Sequence, residues 1–166
     1  MTPRRVYFNG EFVSEQEARV SIFDSALMFG DMVFEMTRTY LQKPFRLRAH
    51  LERMYAGLKY LGIDCGLTLE GMERATLQTL ELNLPALDGA DAQIMHNVSR
   101  GTLPMYKSVF GGTLRPTVTI SCWPYWWLFT DAAFRGLIAL MGFVILDEWK
   151  WEDHALAILA RKLREG

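Results

Sequence analysis

The chain has 166 residues, of which 50% are hydrophobic and 22% are charged, so it can bury a core and is not of disordered composition. Its 18 basic and 19 acidic side chains give a formal net charge of -1, which provides no general attraction for nucleic acid or for an anionic membrane. The 2 cysteines form no CxxC pair and have no histidines at metal-ligand spacing, so neither a zinc site nor a disulfide framework is predicted.

The sequence predicts a cytoplasmic protein with no membrane or nucleic-acid partner. Its N-terminus lacks the apolar run of a signal peptide. The longest strongly apolar stretch, 137–146, has only about half of the ~20 residues that a membrane-spanning helix needs.

A β-hairpin over 6–13 is the first predicted element, because Asn9-Gly10 between two apolar runs is typical of a tight two-residue turn. A turn is predicted at 29–31 and another at 42–44. Further strands are predicted over 19–22, 33–40 and 45–47, the second of which alternates between apolar and polar residues.

Two helices follow. The first begins near Ala49 and ends at Gly62, with apolar side chains spaced three and four residues apart along one face. The second is predicted over 69–83, with Thr68 as its N-cap and an end before Pro85.

Strands over 93–99 and 116–122 complete a predicted α+β domain over residues 1–122. Residues 123–166 are then predicted to form an interdomain segment and the beginning of a second domain. Within this second part we expect a buried strand over 136–146 and an amphipathic helix over 152–164.

The sequence lacks the common motifs of nucleophilic and phosphate-binding sites. It has 3 histidines but no Gly-x-Ser-x-Gly elbow, and no glycine-rich loop of the Walker or dinucleotide-binding type. These negatives leave an organic cofactor as a possible carrier of the chemistry.

Five motifs, in order and at matching spacing, resemble the N-terminal domain of the class IV aminotransferases. They are Asn9-Gly10, Gly30 to Glu35, Thr37-Arg38, Phe45 to Leu47, and His50 to Arg53. These are fold-type IV enzymes that depend on pyridoxal 5'-phosphate. The resemblance implies an α+β small domain, followed by the start of a larger, incomplete α/β-barrel-like domain, in a homodimeric protein.

The resemblance implies that Arg53 contacts the cofactor phosphate, a role that suits the forked donors of a guanidinium. Without the resemblance, the same arginine would be interpreted as a solvated helix charge. His50 on the same helix is expected to be structural. Glu35 is expected to form an ion pair with a neighbour such as Arg38.

The substrate pocket of the family corresponds to Phe29, Phe34 and Met36, which would favour an apolar substrate side chain. Ordinary core packing is the alternative for these three residues. Met105 and Lys107 stand where D-amino-acid aminotransferases hold the substrate carboxylate with an arginine and a histidine, so D-amino-acid specificity is not expected.

Lys150 is the expected catalytic lysine, which in this family bonds covalently to the cofactor aldehyde. Ala160 follows ten positions later, as in the family. Trp149 and Trp151 flank the lysine, and desolvation would favour its neutral, reactive amine. A surface lysine between two tryptophans is the alternative.

The expected reaction is transamination between an amino donor and a 2-keto acid. A lyase of the same fold, similar to aminodeoxychorismate lyase, and an inactive remnant that acts only as a binding module remain alternatives. The family's glutamate partner of the pyridine nitrogen has no counterpart before Gly166, so we expect a fragment of a longer chain that by itself binds the cofactor poorly. The aromatic run over 123–129 is expected to pack between domains or subunits.

Overall fold

The structure is a computed structural model and describes residues 3–106, 115–125, 131–151 and 155–162. It divides into two units, one ending at Tyr125 and the other beginning at Trp126. The predicted domain ranges 1–122 and 123–166 remain a prediction. Within the described part of the chain, no helix is both long enough and apolar enough to cross a membrane.

The elements of the first unit are, in chain order, β1 (Arg5–Phe8), β2 (Glu11–Ser14), α1 (Ser25–Phe29), β3 (Met32–Tyr40), β4 (Lys43–Pro44), α2 (Leu47–Leu61), α3 (Leu69–Leu87), β5 (Ala92–Ser99), a short 3-10 turn (Pro104–Tyr106) and β6 (Thr117–Pro124). The strands form one sheet in the order β2-β1-β6-β5-β3-β4, and the paired neighbours are antiparallel.

Helices α2 and α3 pack against one face of this sheet and against each other. Their apolar residues, spaced three or four apart, meet the inward side chains of β5 and β6 because one stripe of a helix and one face of a sheet can be buried together. The fully buried apolar side chains at the centre are Leu51, Met54, Met72, Ile94, Val98 and Ile120.

Strand β3 separates the two faces of the sheet by strict alternation. Glu35, Thr37 and Thr39 are buried on the helix side, whereas Phe34 and Met36 point to the opposite, open face. The predicted alternation over 33–40 is therefore confirmed. The side chains of Phe34 and Met36 on the open face are accessible in this unit.

The predicted N-terminal hairpin is confirmed. Val6 pairs with Val13, and the turn residues Asn9 and Gly10 have φ angles of 50° and 102°. These positive values are the conformation that an Asn-Gly turn supplies at little cost.

Both predicted helices exist, but their bounds differ from the prediction. Helix α2 begins at Leu47 rather than Ala49, and Gly62 ends it with a φ of 64° as predicted. Thr68 caps α3 by accepting a hydrogen bond from the Gly71 amide, as predicted. The end before Pro85 was wrong: α3 continues to Leu87, because proline near a helix end removes only one late backbone hydrogen bond.

Two early strand predictions were wrong. Residues 19–22 lie outside any strand, and Val20 and Ile22 are 50% and 69% exposed, so within the described residues no partner strand or core stabilises an extended segment there. Residues 45–47 do not continue as a strand, because Arg46 adopts a left-handed conformation and α2 begins at the next residue.

The second unit contains α4 (Asp131–Leu140), β7 (Phe143–Trp151) and β8 (Ala155–Lys162), and β7 pairs with β8 in an antiparallel ladder. The predicted strand over 136–146 was wrong in its first half, because the run is divided by Gly142 with a φ of 77°. The predicted helix over 152–164 was also wrong, since 155–162 form β8; pairing with β7 overrides the helical spacing of these residues.

Candidate functional site

The candidate site centres on Arg53 of α2 and Glu35 of β3. Arg53 Nε donates to Glu35 Oε2 at 2.7 Å, and Arg53 Nη2 donates to Glu35 Oε1 at 2.7 Å. The arginine side chain is 71% exposed, whereas the glutamate side chain is only 6% exposed. A buried carboxylate therefore holds the inner edge of an exposed guanidinium, and the outer edge faces solvent.

His50, one helical turn before Arg53, completes this cluster. Its Nδ1 lies 3.0 Å from Glu35 Oε1, and because a carboxylate only accepts, the imidazole donates here. The Met36 amide also donates to Glu35 Oε1, at 2.9 Å. Burial raises the pKa of Glu35, but the hydrogen bonds from Arg53, His50 and the Met36 amide outweigh it and lower the pKa to about 2.

The expected pair between Glu35 and Arg38 is absent from the structure, and that prediction was wrong. Residues three apart on a strand point to opposite faces, so these two side chains cannot meet. Arg38 Cζ instead lies 4.1 Å from the ring centroid of Tyr40 and 3.8 Å from that of Tyr125. Its Nη2 lies 3.8 Å from Asp91 Oδ2. Its charge is thus stabilised on the open face by cation–π contacts.

All three expected substrate-pocket residues have exposed side chains. Phe29 is 60%, Phe34 is 62% and Met36 is 37% exposed, so the alternative of ordinary core packing is not what this unit shows. Met36 also lines a cavity of about 210 Å³, together with residues from both sides of the β3 edge, namely Thr37, Arg38, Phe45, His50, Gln93 and Tyr125. The open face and the α2 cluster therefore meet at this edge.

Two polar anchors fix the backbone that carries Phe29 and Phe34. Asp24 caps α1 through the Ala26 amide at 2.9 Å and accepts from Thr117 Oγ1 at 2.6 Å. Arg100 donates from Nε to Asp31 Oδ2 at 2.8 Å. The same guanidinium donates to the carbonyl oxygens of Leu61 and Gly62 at 2.9 Å and 3.0 Å, which joins the turn after α1 to the end of α2. Asp31 lies within the Gly30 to Glu35 motif, but the sequence predicted no role for either anchor.

The structure describes the other predicted residues only in part. Lys150 is placed on β7, but its side chain is outside the described part of the structure. Met105 is 69% exposed in the 3-10 turn, whereas Lys107 and residues 126–129 of the aromatic run lie outside the described residues. In the described part of the chain, no three His, Cys, Asp or Glu side chains form a group that could hold a metal ion.

A family model described as amino-transferase class IV matches residues 32–127. The "Putative branched-chain-amino-acid aminotransferase" of Methanocaldococcus jannaschii is 43% identical over 97 residues, which are 58% of this chain and 32% of that protein. The D-alanine aminotransferase of Staphylococcus epidermidis is 31% identical over 114 residues, which are 69% of this chain and 39% of that protein. The chain thus spans about a third to two fifths of the length of these curated relatives.

The same relationship is visible in three dimensions. The branched-chain aminotransferase of the thermophilic archaeon Thermoproteus uzoniensis, solved with norvaline, is 29% identical and aligns with a TM-score of 0.63. The alignment covers 75% of this chain and 41% of that chain. The expected α+β fold, similar to the fold-type IV small domain, is therefore confirmed.

Proposed function

The chain belongs to the class IV aminotransferases, and on that premise we propose that the full-length protein is a pyridoxal 5'-phosphate-dependent aminotransferase. It would move an amino group between an amino acid or amine and a 2-keto acid. The observation that carries the proposal is the exposed guanidinium of Arg53, held from behind by Glu35, in a chain whose relatives are aminotransferases.

The arrangement around Arg53 fits the cofactor phosphate. With Nε and Nη2 directed at Glu35, the Nη1 end of the guanidinium remains at the exposed side. A guanidinium N–H pointing at a phosphate oxygen forms a short, charge-assisted hydrogen bond. When bound, pyridoxal phosphate supplies the carbonyl that receives the amino group and the ring that delocalises the developing negative charge.

Lys150 is proposed as the second residue that holds the cofactor and as the base of the reaction. Its neutral amine would accept the proton that leaves the substrate Cα and return it at the end of the transfer. This assignment remains a prediction from the sequence resemblance.

An apolar substrate side chain is proposed because Phe29, Phe34 and Met36 offer exposed apolar surface. Burial of an apolar substrate group against such surface is favourable by about 25 cal/mol per Å². The branched-chain aminotransferase activity named for the Methanocaldococcus and Thermoproteus proteins is consistent with this preference.

We further propose a homodimer located in the cytoplasm, with an amino donor and a keto-acid acceptor as its small-molecule partners. Leu27, Met28 and Phe29 of α1 are all at least 37% exposed, and a subunit interface would cover such adjacent apolar side chains. Cys65 and Cys122 are buried free thiols, as is usual in a reducing compartment.

The function is tested by measuring amino transfer by the purified full-length protein from leucine, isoleucine, valine and alanine to 2-oxoglutarate. We expect transfer from the branched-chain donors to exceed transfer from alanine. Replacing Arg53 by glutamine should raise the Kd for pyridoxal phosphate by roughly 10-fold or more, the scale of one lost charged hydrogen bond.

Arg48→Gln is the matched control, because Arg48 is an exposed arginine of the same helix that pairs with Glu52, Glu70 and Glu73. This variant should change the Kd for the cofactor by less than about 2-fold, since its partners are surface glutamates. Release of ammonia without amino transfer, or equal effects of the two substitutions, would contradict the proposal.

A further inference from the structure

Glu35 lies on an edge of strand β3 where a backbone amide needs a hydrogen-bond acceptor. Strand β4 pairs only with Thr39 and Tyr40 of β3, so within the described residues the rest of this β3 edge has no partner strand. The Arg38 carbonyl points to this edge, where it accepts from the Phe45 amide at 2.8 Å. Met36 has the same parity as Arg38, so its amide also points outward, and the Glu35 carboxylate satisfies it.

The carboxylate of Glu35 accepts hydrogen bonds from three residues. Oε1 accepts from the Met36 amide, from His50 Nδ1 and from Arg53 Nη2, and Oε2 accepts from Arg53 Nε. The group is therefore fixed by its own strand and by α2 at the same time. Only a carboxylate at this position can accept from both donors along one edge of the guanidinium.

The surroundings keep this carboxylate ionised. His96, its cross-strand neighbour on β5, is fully buried, and burial lowers the pKa of the imidazole to about 4, so no second cation competes for Glu35. His50 and Arg53 both contact the Glu35 carboxylate directly. Both of these residues belong to α2, so the carboxylate of Glu35 interacts with the side chains of this helix.

Arg53 by itself has little to hold it in one place. Its side chain is 71% exposed, and a long side chain free in water loses much rotamer entropy when it binds a ligand. The two hydrogen bonds to Glu35 remove that freedom before a ligand arrives, because a forked pair fixes both the position and the plane of the guanidinium.

We propose that Glu35 is a positioning residue that fixes the Arg53 guanidinium so that its Nη1 end presents donors to a phosphate group. The inference rests on the proposed function in that the phosphate is the one carried by pyridoxal phosphate. Glu35 itself would not touch the cofactor, and it would act only through Arg53.

When Glu35 is replaced, this role and a simple charge effect predict opposite changes in the affinity for phosphate. If Glu35 acted only as a negative charge near the site, replacing it by glutamine would strengthen anion binding, because a repulsive charge would be removed. If Glu35 positions Arg53, the same replacement weakens phosphate binding although the site becomes more positive.

The experiment compares the affinities of the full-length protein for pyridoxal phosphate and for pyridoxal, which lacks the phosphate, by absorbance titration. We expect Glu35→Gln to raise the Kd for pyridoxal phosphate by roughly 10-fold and to change the Kd for pyridoxal by less than about 2-fold. Glu52→Gln is the matched control, because it removes a carboxylate from the adjacent position of α2 that pairs with Arg48, and it should leave both values unchanged.

Glu35→Asp provides a second variant in case the glutamine variant does not fold. It keeps the negative charge but withdraws the carboxylate by one methylene, so a charge effect predicts no change and positioning predicts weaker binding of pyridoxal phosphate. Equal or tighter binding of pyridoxal phosphate by the folded variants would overturn the inference. Equal losses for pyridoxal and pyridoxal phosphate would also overturn it, because they would indicate only a structural role.

A nuclear magnetic resonance titration with inorganic phosphate separates this inference from the proposed function. The Arg53 Nε–H signal should shift with phosphate in the wild-type protein, and the shift should need roughly 10-fold more phosphate in Glu35→Asp. If phosphate acts in this way but pyridoxal phosphate does not bind, the proposed function fails and the positioning role stands. If phosphate does not shift the signal, the positioning role is overturned.

Discussion

His96 is a buried histidine, and its protonation state affects the free energy of unfolding. Thr76 Oγ1 donates to the Met72 carbonyl oxygen at 2.7 Å, so at 2.8 Å from His96 it must accept from Nε2–H. Among the described residues, His96 Nδ1 has no hydrogen-bond partner, and burial lowers the pKa of this imidazole to about 4. The neutral form is therefore the one that the folded protein accommodates.

Because the pKa of histidine in an unfolded chain is near 6.5, the unfolded state binds more protons than the folded state between about pH 4 and pH 6.5. Stability contributed by neutral His96 is complete above that range and is lost as the pH falls through it. Glu35, whose pKa in the folded protein is lowered to about 2, begins to lose its contribution only near the ordinary pKa of 4.5, where the carboxyl of the unfolded chain becomes protonated. Most of the loss over this range therefore belongs to His96.

We predict that acidification from about pH 7 to about pH 4.5 lowers the free energy of unfolding of the wild-type protein, with up to about 3 kcal/mol due to His96. In His96→Gln this part of the pH dependence should disappear, although the variant is less stable at neutral pH. Urea unfolding followed by circular dichroism at both pH values measures the difference. Parallel pH profiles for the two proteins would contradict the assignment.

The residue-level prediction of the site was incomplete for a geometric reason. The sequence motif identified Arg53, but the expected partner of Glu35 was Arg38, which is close in the sequence and on the opposite face of the strand. The parity of β3 excludes that pair, and the spacing of His50 and Arg53 on α2 places two donors one turn apart. Both facts are in the sequence, but the packing of α2 on β3 was needed to join them.

At the scale of elements, the turn between β3 and β4 departs from its usual composition. Leu41 and Gln42 join the paired residues Tyr40 and Lys43, with φ angles of 50° and 61°. Two-residue turns of this kind favour asparagine and glycine, because a left-handed conformation costs other residues roughly 1 to 2 kcal/mol. The Leu41 side chain is 91% exposed, so its burial cannot offset that cost.

We predict that Leu41→Asn raises the free energy of unfolding by about 1 kcal/mol, because asparagine adopts the left-handed conformation more readily. Leu77→Asn serves as the comparison, since Leu77 is 46% exposed within helix α3, where asparagine is a poorer helix former than leucine. Thermal and urea unfolding of both variants provides the measurement. A loss of stability in Leu41→Asn would show that the turn does not store this strain.

Elements defined by local chemistry were predictable, and elements defined by distant partners were not. The Asn9-Gly10 turn, the Thr68 cap and the Gly62 helix end each depend on a few neighbouring residues and were confirmed. The predictions for 19–22 and 152–164 were wrong because partners decide the structure of these segments. The first has no strand beside it in the described part of the chain, and 155–162 of the second pair with β7.

At the scale of the whole molecule, the two units differ in how much of each the family model matches. The family model begins at Met32 and ends at Trp127, so it covers most of the first unit and almost none of the second. Arg53, the proposed phosphate anchor, and the apolar surface around Phe34 lie in the first unit, whereas Lys150 lies in the second. The family model therefore supports the proposed role of Arg53, whereas the proposed role of Lys150 rests on the sequence resemblance alone.

The most direct test of the proposed function is to identify the lysine that binds the cofactor. Full-length protein is incubated with pyridoxal phosphate, reduced with borohydride to make the bond permanent, digested and analysed by mass spectrometry. We predict one pyridoxyl-modified peptide, with the modification on Lys150, and loss of this modification in Lys150→Ala. Modification of Lys43, Lys59 or another lysine in its place, or no modification at all, would contradict the account.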